Sequence, residues 1–100
     1  MKVAIIIPVY NEEANVNQLY AEIRDVMSKT QLDWKAIFVE DGSEDRSFEK
    51  LKDISQHDSR IAVIQLSRNF GQTAALAAGF LYAQADVIIT MDGDLQNDPA

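Results

Sequence analysis

Short unbroken apolar runs alternate along this chain with longer segments in which apolar residues recur every third or fourth position. Val3 to Ile7 is one such run, rich in β-branched residues and of strand length, the pattern of a parallel strand buried on both faces. Pro8 is expected to close it. Val16, Leu19, Tyr20, Ile23, Val26 and Met27 then fall on one stripe of a helix that should end near Lys29. Asn11 is placed to cap that helix, with Glu12 and Glu13 at the positive end of its dipole. Trp34 to Val39 reads as a second strand, and Glu40-Asp41-Gly42-Ser43 as the loop leaving its carboxyl end. Ser43 or Asp45 can cap a second helix that turns Phe48, Leu51 and Ile54 inward and closes in the turn His57-Asp58-Ser59. Ile61 to Leu66 is the third strand. The loop Ser67-Arg68-Asn69-Phe70-Gly71-Gln72 enters an Ala-rich helix from about Thr73 to Gln84, in which Gly79 permits close approach to a sheet. Val87 to Met91 is the fourth strand.

The order β-α-β-α-β-α-β with short connections predicts an α/β fold: three layers, a Rossmann-like, mostly parallel sheet with right-handed crossovers, and helices on both faces. Strand order 3-2-1-4 would make the first and fourth strands neighbours where the winding reverses, and the crevice above them is the expected site. Composition changes this little, since 47% apolar and 25% charged residues are ordinary for a globular chain. Charge excludes more. At −7, and without a clustered Lys/Arg surface, the chain is not a nucleic-acid binder, so any phosphate ligand is expected to arrive with a metal. With no Cys there is neither a disulfide framework nor a Cys-based zinc site, and no apolar run is long enough to span a membrane. His57, the single histidine, is read as a solvated turn residue.

Candidate chemistry centres on Thr90-Met91-Asp92-Gly93-Asp94-Leu95-Gln96. In extended backbone the Asp92 and Asp94 carboxylates project to the same side, and Gly93 lets a ligand come close. Two carboxylates about 5 Å apart repel by roughly 3 kcal/mol at an effective dielectric of about 20, and a hard divalent cation relieves that while leaving positions for phosphate oxygens. Ten Asp in 100 residues produce about one Asp-x-Asp by chance, so position at a strand's carboxyl end carries the argument rather than spacing.

Four segments together carry a resemblance. Ile7-Pro8-Val9-Tyr10-Asn11-Glu12, Val39-Glu40-Asp41-Gly42-Ser43, Ser67-Arg68-Asn69-Phe70-Gly71 and Met91-Asp92-Gly93-Asp94-Leu95-Gln96 resemble family 2 glycosyltransferases of the GT-A fold. Within that family the chain is most similar to the polyprenyl-phosphate sugar transferases, such as dolichol-phosphate mannose synthases. The resemblance implies a nucleotide-sugar pocket lined by Pro8, Tyr10, Glu12, Val39, Asp41, Arg68, Asp92, Gly93 and Asp94, with Mg²⁺ or Mn²⁺ held by Asp92, Asp94 and Gln96. It also implies that the Gly71 amide can reach a phosphate or the sugar. Glu40 stands where the family commonly has Asp, which keeps the charge. Gln72 stands where several relatives have Lys, which puts one phosphate contact in doubt.

The expectation is therefore the N-terminal, nucleotide-binding part (residues 1–100) of a longer, metal-dependent, inverting glycosyltransferase. Its donor would be a UDP or GDP sugar and its acceptor a polyprenyl phosphate, with acceptor-side catalytic residues beyond residue 100. The location implied is cytoplasmic, at the inner face of the membrane, with membrane contact made by the part that follows. Asn97-Asp98-Pro99-Ala100 resembles mid-chain loop, so the piece alone should be inactive and should expose an edge and an apolar patch prone to self-association. A transferase acting on a polysaccharide or a protein is the alternative within the family. Outside it stand a nucleotide-binding regulatory module without catalysis and a phosphoacceptor receiver module. The receiver pattern disagrees at the first strand, which ends in Pro-Val-Tyr-Asn instead of an acidic pair.

Overall fold

A computed structural model describes residues 1–91, and these form β1 (Lys2–Val9), α1 (Val16–Ser28), β2 (Asp33–Glu40), α2 (Ser47–His57), β3 (Ile61–Gln65), α3 (Gln72–Tyr82) and β4 (Val87–Thr90). All strand pairs are parallel, and the sheet runs β3-β2-β1-β4, the order expected from the sequence. Register alternates the side chains cleanly between two apolar layers. Val3, Ile5, Ile7 and Val9 join Trp34, Ala36 and Phe38 beneath Val16, Leu19, Ile23 and Met27 of α1 and Leu51 and Ile54 of α2. Ala4, Ile6, Ile37 and Val39 face the other way, onto Ala75 and Leu76 of α3. At about 25 cal/mol for each Å² of apolar surface buried, these two layers are the main favourable contribution to folding.

The helix on the second face shows why its sequence is Ala-rich. Gly79 lies against Ile6, which is fully buried, and a Cβ at position 79 would collide with the Ile6 Cγ2 methyl. Helix and central strand approach this closely only because no side chain intervenes.

Several local expectations are corrected. β1 runs through Pro8 to Val9, with Pro8 opposite Val39 and Val9 opposite Glu40. α1 begins at Val16 with Asn15, not Asn11, in the capping position, because Asn11 takes a left-handed conformation (φ 52°) and spends its side chain elsewhere. Val26 belongs to the helical stripe by spacing but is 60% exposed, outside the arc that meets the sheet. Ser43 does not cap α2; Asp45 accepts hydrogen bonds from the Ser47 amide (2.9 Å) and hydroxyl (2.6 Å) instead. Those bonds outweigh the cost of burial and hold the Asp45 carboxyl below its usual range. Ser47 is buried where Phe48 was expected to be. α3 is shorter than expected, ending at Tyr82. β4 is not a buried strand: Val87 and Ile89, which share a face with Val3 and Ile5, are 39% and 45% exposed, since among the described residues the apolar layer on that face does not extend over β4.

At the amino end of the sheet a polar clamp ties α1 to the turn before β3. Tyr20 Oη donates to Asp58 (2.7 Å), Arg60 donates to both Asp58 oxygens through Nε (3.1 Å) and Nη2 (3.2 Å), and the Arg60 guanidinium lies 4.5 Å from the Trp34 ring centroid. Burial alone would push the Asp58 carboxyl up, but the bonds from Arg60 and Tyr20 outweigh it and lower its pKa to about 2.

Candidate functional site

Three loops leave the carboxyl ends of β1, β2 and β3 and meet on one side of the sheet. The first two are cross-braced. The Asn11 amide donates to Ser43 Oγ (2.8 Å), and the Glu44 amide donates back to Asn11 Oδ1 (2.8 Å). The Glu12 amide donates to Ser47 Oγ (2.9 Å), the Glu13 amide to Asp45 Oδ2 (3.1 Å), and Lys50 Nζ to the Glu13 carbonyl (2.8 Å). Asn11 tolerates its positive φ because a short polar side chain is least penalised there and can bond locally. The segment after β1 is thus fixed by the segment before α2, a long-range dependence between residues more than thirty positions apart.

The third loop is held through Asp41. This residue is only 3% exposed, and its carboxylate accepts from the amides of Phe70 (2.8 Å) and Gly71 (3.0 Å) and from Asn69 Nδ2 (3.0 Å). Gly42, at φ 69°, lies directly under the Arg68–Asn69 peptide, where any Cβ would collide with backbone. Neighbouring Glu40 is 1% exposed and accepts from the Ser43 amide (2.6 Å), closing the β2 loop on itself. Two carboxylates at the end of β2 are therefore buried, each serving backbone amides that the turns would otherwise leave without partners.

The other site residues read from the sequence separate into four groups. Pro8 and Val39 are register partners buried in the sheet, Val39 within the apolar layer that meets α3. Tyr10, 41% exposed, and Arg68 stand on the rim, the Arg68 guanidinium 4.8 Å from the Phe70 ring centroid. Glu12 is half-buried and its carboxylate accepts from Asn15 Nδ2 (2.7 Å), so it organises the turn that leads into α1. Asp92, Gly93, Asp94 and Gln96 lie outside the described residues. Among the described residues, no group of three or more His, Asp or Glu side chains comes together to hold a metal ion. β4 delivers the chain to the same side of the sheet: Thr90 pairs with Ile6, and the Met91 amide donates to the Ile6 carbonyl (2.9 Å).

Sequence reasoning missed Asn11, Asn69 and Phe70. Asn11 followed by two glutamates looks like a helix cap, and only its φ and the Glu44 bond show otherwise. Asn69 and Phe70 gave no signal of their own, because their role depends on Asp41 twenty-eight and twenty-nine positions earlier. A cavity of about 710 Å³ lies at the opposite, amino end of the sheet, lined by residues that include Lys2, Trp34, Lys35, Arg60 and Tyr82. It shares none of the strand-end loops.

Comparison with known proteins agrees with the fold. Residues 4–100 match the family described as Glycosyl transferase family 2. The chain is 44% identical over 96 residues to the glycosyltransferase YkcC of Bacillus subtilis (strain 168), covering 96% of this chain and 30% of that protein. It is 42% identical over 99 residues to the undecaprenyl-phosphate 4-deoxy-4-formamido-L-arabinose transferase of Salmonella choleraesuis (strain SC-B67), covering 98% and 30%. Among solved structures, S. aureus TarS 1-349 in complex with UDP-GlcNAc superposes with a TM-score of 0.77 at 21% identity, over 94% of this chain and 27% of that one. The mannosyltransferase PcManGT from Pyrobaculum calidifontis, in complex with GDP-Man and Mn²⁺, gives 0.77 at 16% identity, over 92% and 27%. The chain thus spans about 30% of the length of the curated relatives it matches.

Proposed function

Since the chain belongs to glycosyltransferase family 2, with the match running over residues 4–100, we propose that it is the nucleotide-sugar-binding part of a metal-dependent, inverting transferase that delivers a sugar to polyprenyl phosphate. The observation that carries the acceptor class is the 42% identity, over nearly the whole chain, to an undecaprenyl-phosphate sugar transferase. A lipid acceptor places the work at the inner face of a membrane. No helix among the described residues is long and apolar enough to cross one.

The chemistry follows from what each residue can do. Tyr10 presents an exposed ring just after β1, the kind of surface on which a nucleobase stacks, and buried Pro8 and Val39 anchor the strand ends beside it. Arg68 places a fully charged, planar guanidinium on the rim, suited to bidentate binding of a phosphate. Asp92, Asp94 and Gln96 carry side-chain oxygens of the kind that hard divalent cations prefer, and would hold Mg²⁺ or Mn²⁺. When bound, the ion supplies Lewis-acid stabilisation for the charge that grows on a departing diphosphate. Buried Glu40 and Asp41 keep the loops around that ligand in one arrangement, so little reorganisation is left for the moment of transfer. A lipid phosphate is already an anionic nucleophile and needs little help from a general base.

Calorimetric titration of the chain with UDP and GDP, each with and without Mn²⁺, tests the reading when repeated on Asp92→Asn and Asp94→Asn. One diphosphate should bind in the presence of metal, and each substitution should weaken that binding tenfold or more, roughly the value of one charge-assisted contact. Metal-independent binding that ignores both substitutions would refute the assignment of the ion to this pair.

A further inference from the structure

We propose that Asp41 is a positioning residue: it sets where the Ser67–Gly71 loop, and with it the Arg68 guanidinium, stands. The proposal rests on the nucleotide-binding reading of the site. A carboxylate offers about four acceptor positions. In Asp41 three of them are filled from within the chain, Oδ1 by the Phe70 amide and Oδ2 by the Gly71 amide and Asn69 Nδ2. Asn69 Nδ2 also reaches the Asp41 carbonyl (3.2 Å), so side chain and backbone of one residue are gripped together. A ligand N–H can take at most the remaining position, and it would do so without releasing the loop.

No other side chain among the described residues does this work. Among the described residues, Asp41 is the one side chain that accepts hydrogen bonds from residues 67–71, whereas the loops after β1 and β2 brace each other through Asn11, Ser43, Asp45 and Ser47. Phe70 links the two ends of the argument. Its amide sits on Asp41 and its ring carries the Arg68 guanidinium, 4.8 Å from Cζ to centroid, so a displaced Phe70 backbone displaces the cation. Gly42 bounds the motion from below, because its missing Cβ is the space that the Arg68–Asn69 peptide fills. Asp41 thereby links the end of β2 to a cation that leads from the end of β3, with no need for direct contact between carboxylate and phosphate.

Amide hydrogen exchange and a double-mutant cycle test this together. Asp41→Asn keeps the shape but turns a donor toward amide donors. Exchange at Phe70 and Gly71 should then accelerate by roughly tenfold or more, the equivalent of one lost charge-assisted bond, while Ile37 and Phe38 in the core of β2 stay protected. Asn69→Ala, which leaves the carboxylate in place, should produce the same pattern more weakly and covers the case in which Asp41→Asn fails to fold. UDP and GDP affinities, measured with Mn²⁺ on wild type, Asp41→Asn, Arg68→Ala and the double variant, should be non-additive: the Asp41 loss shrinks to less than about twofold once Arg68 is gone. Additive losses, or unchanged exchange at Phe70 and Gly71, would overturn the positioning role while leaving nucleotide binding intact. If wild type binds neither nucleotide, the reading beneath the proposal falls and takes it along.

Discussion

Asp58→Asn should destabilise the chain at neutral pH and leave it nearly unchanged near pH 2. Asp58 is held by Arg60 and Tyr20, and its side chain is only 10% exposed, so its charge is poorly screened. Its pKa falls from the ordinary 3.8 to about 2 in the folded chain. At about 1.4 kcal/mol per pH unit this difference corresponds to roughly 2 kcal/mol, an upper figure because Arg60, the main partner, is 42% exposed and partly screened. A group whose pKa is depressed by folding contributes stability above its unfolded value and loses it as pH falls toward the folded one. The contribution is therefore complete above about pH 5 and declines between 3.8 and about 2. Urea unfolding of wild type and Asp58→Asn at several pH values measures it directly, with an expected gap of about 1–2 kcal/mol at pH 7 that closes in acid. Tyr20→Phe, which removes one hydrogen bond to the same carboxylate, should cost about 1 kcal/mol at pH 7. Equal stabilities of wild type and Asp58→Asn at pH 7, or a gap that does not change with acidification, would refute the clamp.

Two glycines give further tests. Gly79→Ala should lower stability by about 1 kcal/mol despite a gain in helix propensity of about the same size, because crowding buried Ile6 costs roughly 2 kcal/mol, and Gly79→Val should lower it more; thermal unfolding decides the sign. Gly42→Ala must hold φ 69° with a Cβ against the Arg68–Asn69 peptide, so it should cost about 2 kcal/mol or more and open the Ser67–Gly71 loop to limited proteolysis before the sheet unfolds.

The strands and helices could be read from periodicity because each reports its own burial. Val3 to Ile7 and the stripe from Val16 to Met27 are local signals, and right-handed crossovers leave few ways to assemble them. Periodicity failed where burial depends on what lies alongside. Val26 satisfies the spacing yet is exposed, outside the arc of α1 that meets the sheet, and β4 has a strand's composition without a neighbour on its outer side among the described residues. At the site, the residue types at the strand ends were legible, but their partners were not. Asp41 could be recognised as a strand-end carboxylate; that it grips the Phe70 and Gly71 amides follows only from how closely β2 and β3 bring their loops together. Asn11 shows the same limit in reverse, since its left-handed backbone answers to Glu44 rather than to the helix that follows it.

Chemical-shift mapping by NMR on ¹⁵N-labelled chain, titrated with UDP and with GDP in the presence of diamagnetic Mg²⁺, tests the central claim most directly. The account predicts that one nucleotide shifts the amides of Tyr10, Glu12, Asp41, Arg68 and Phe70 at the carboxyl end of the sheet and leaves Lys35, Arg60 and Gln84, around the cavity at the amino end, where they were. Shifts confined to that cavity, with the strand-end loops unmoved, would contradict it.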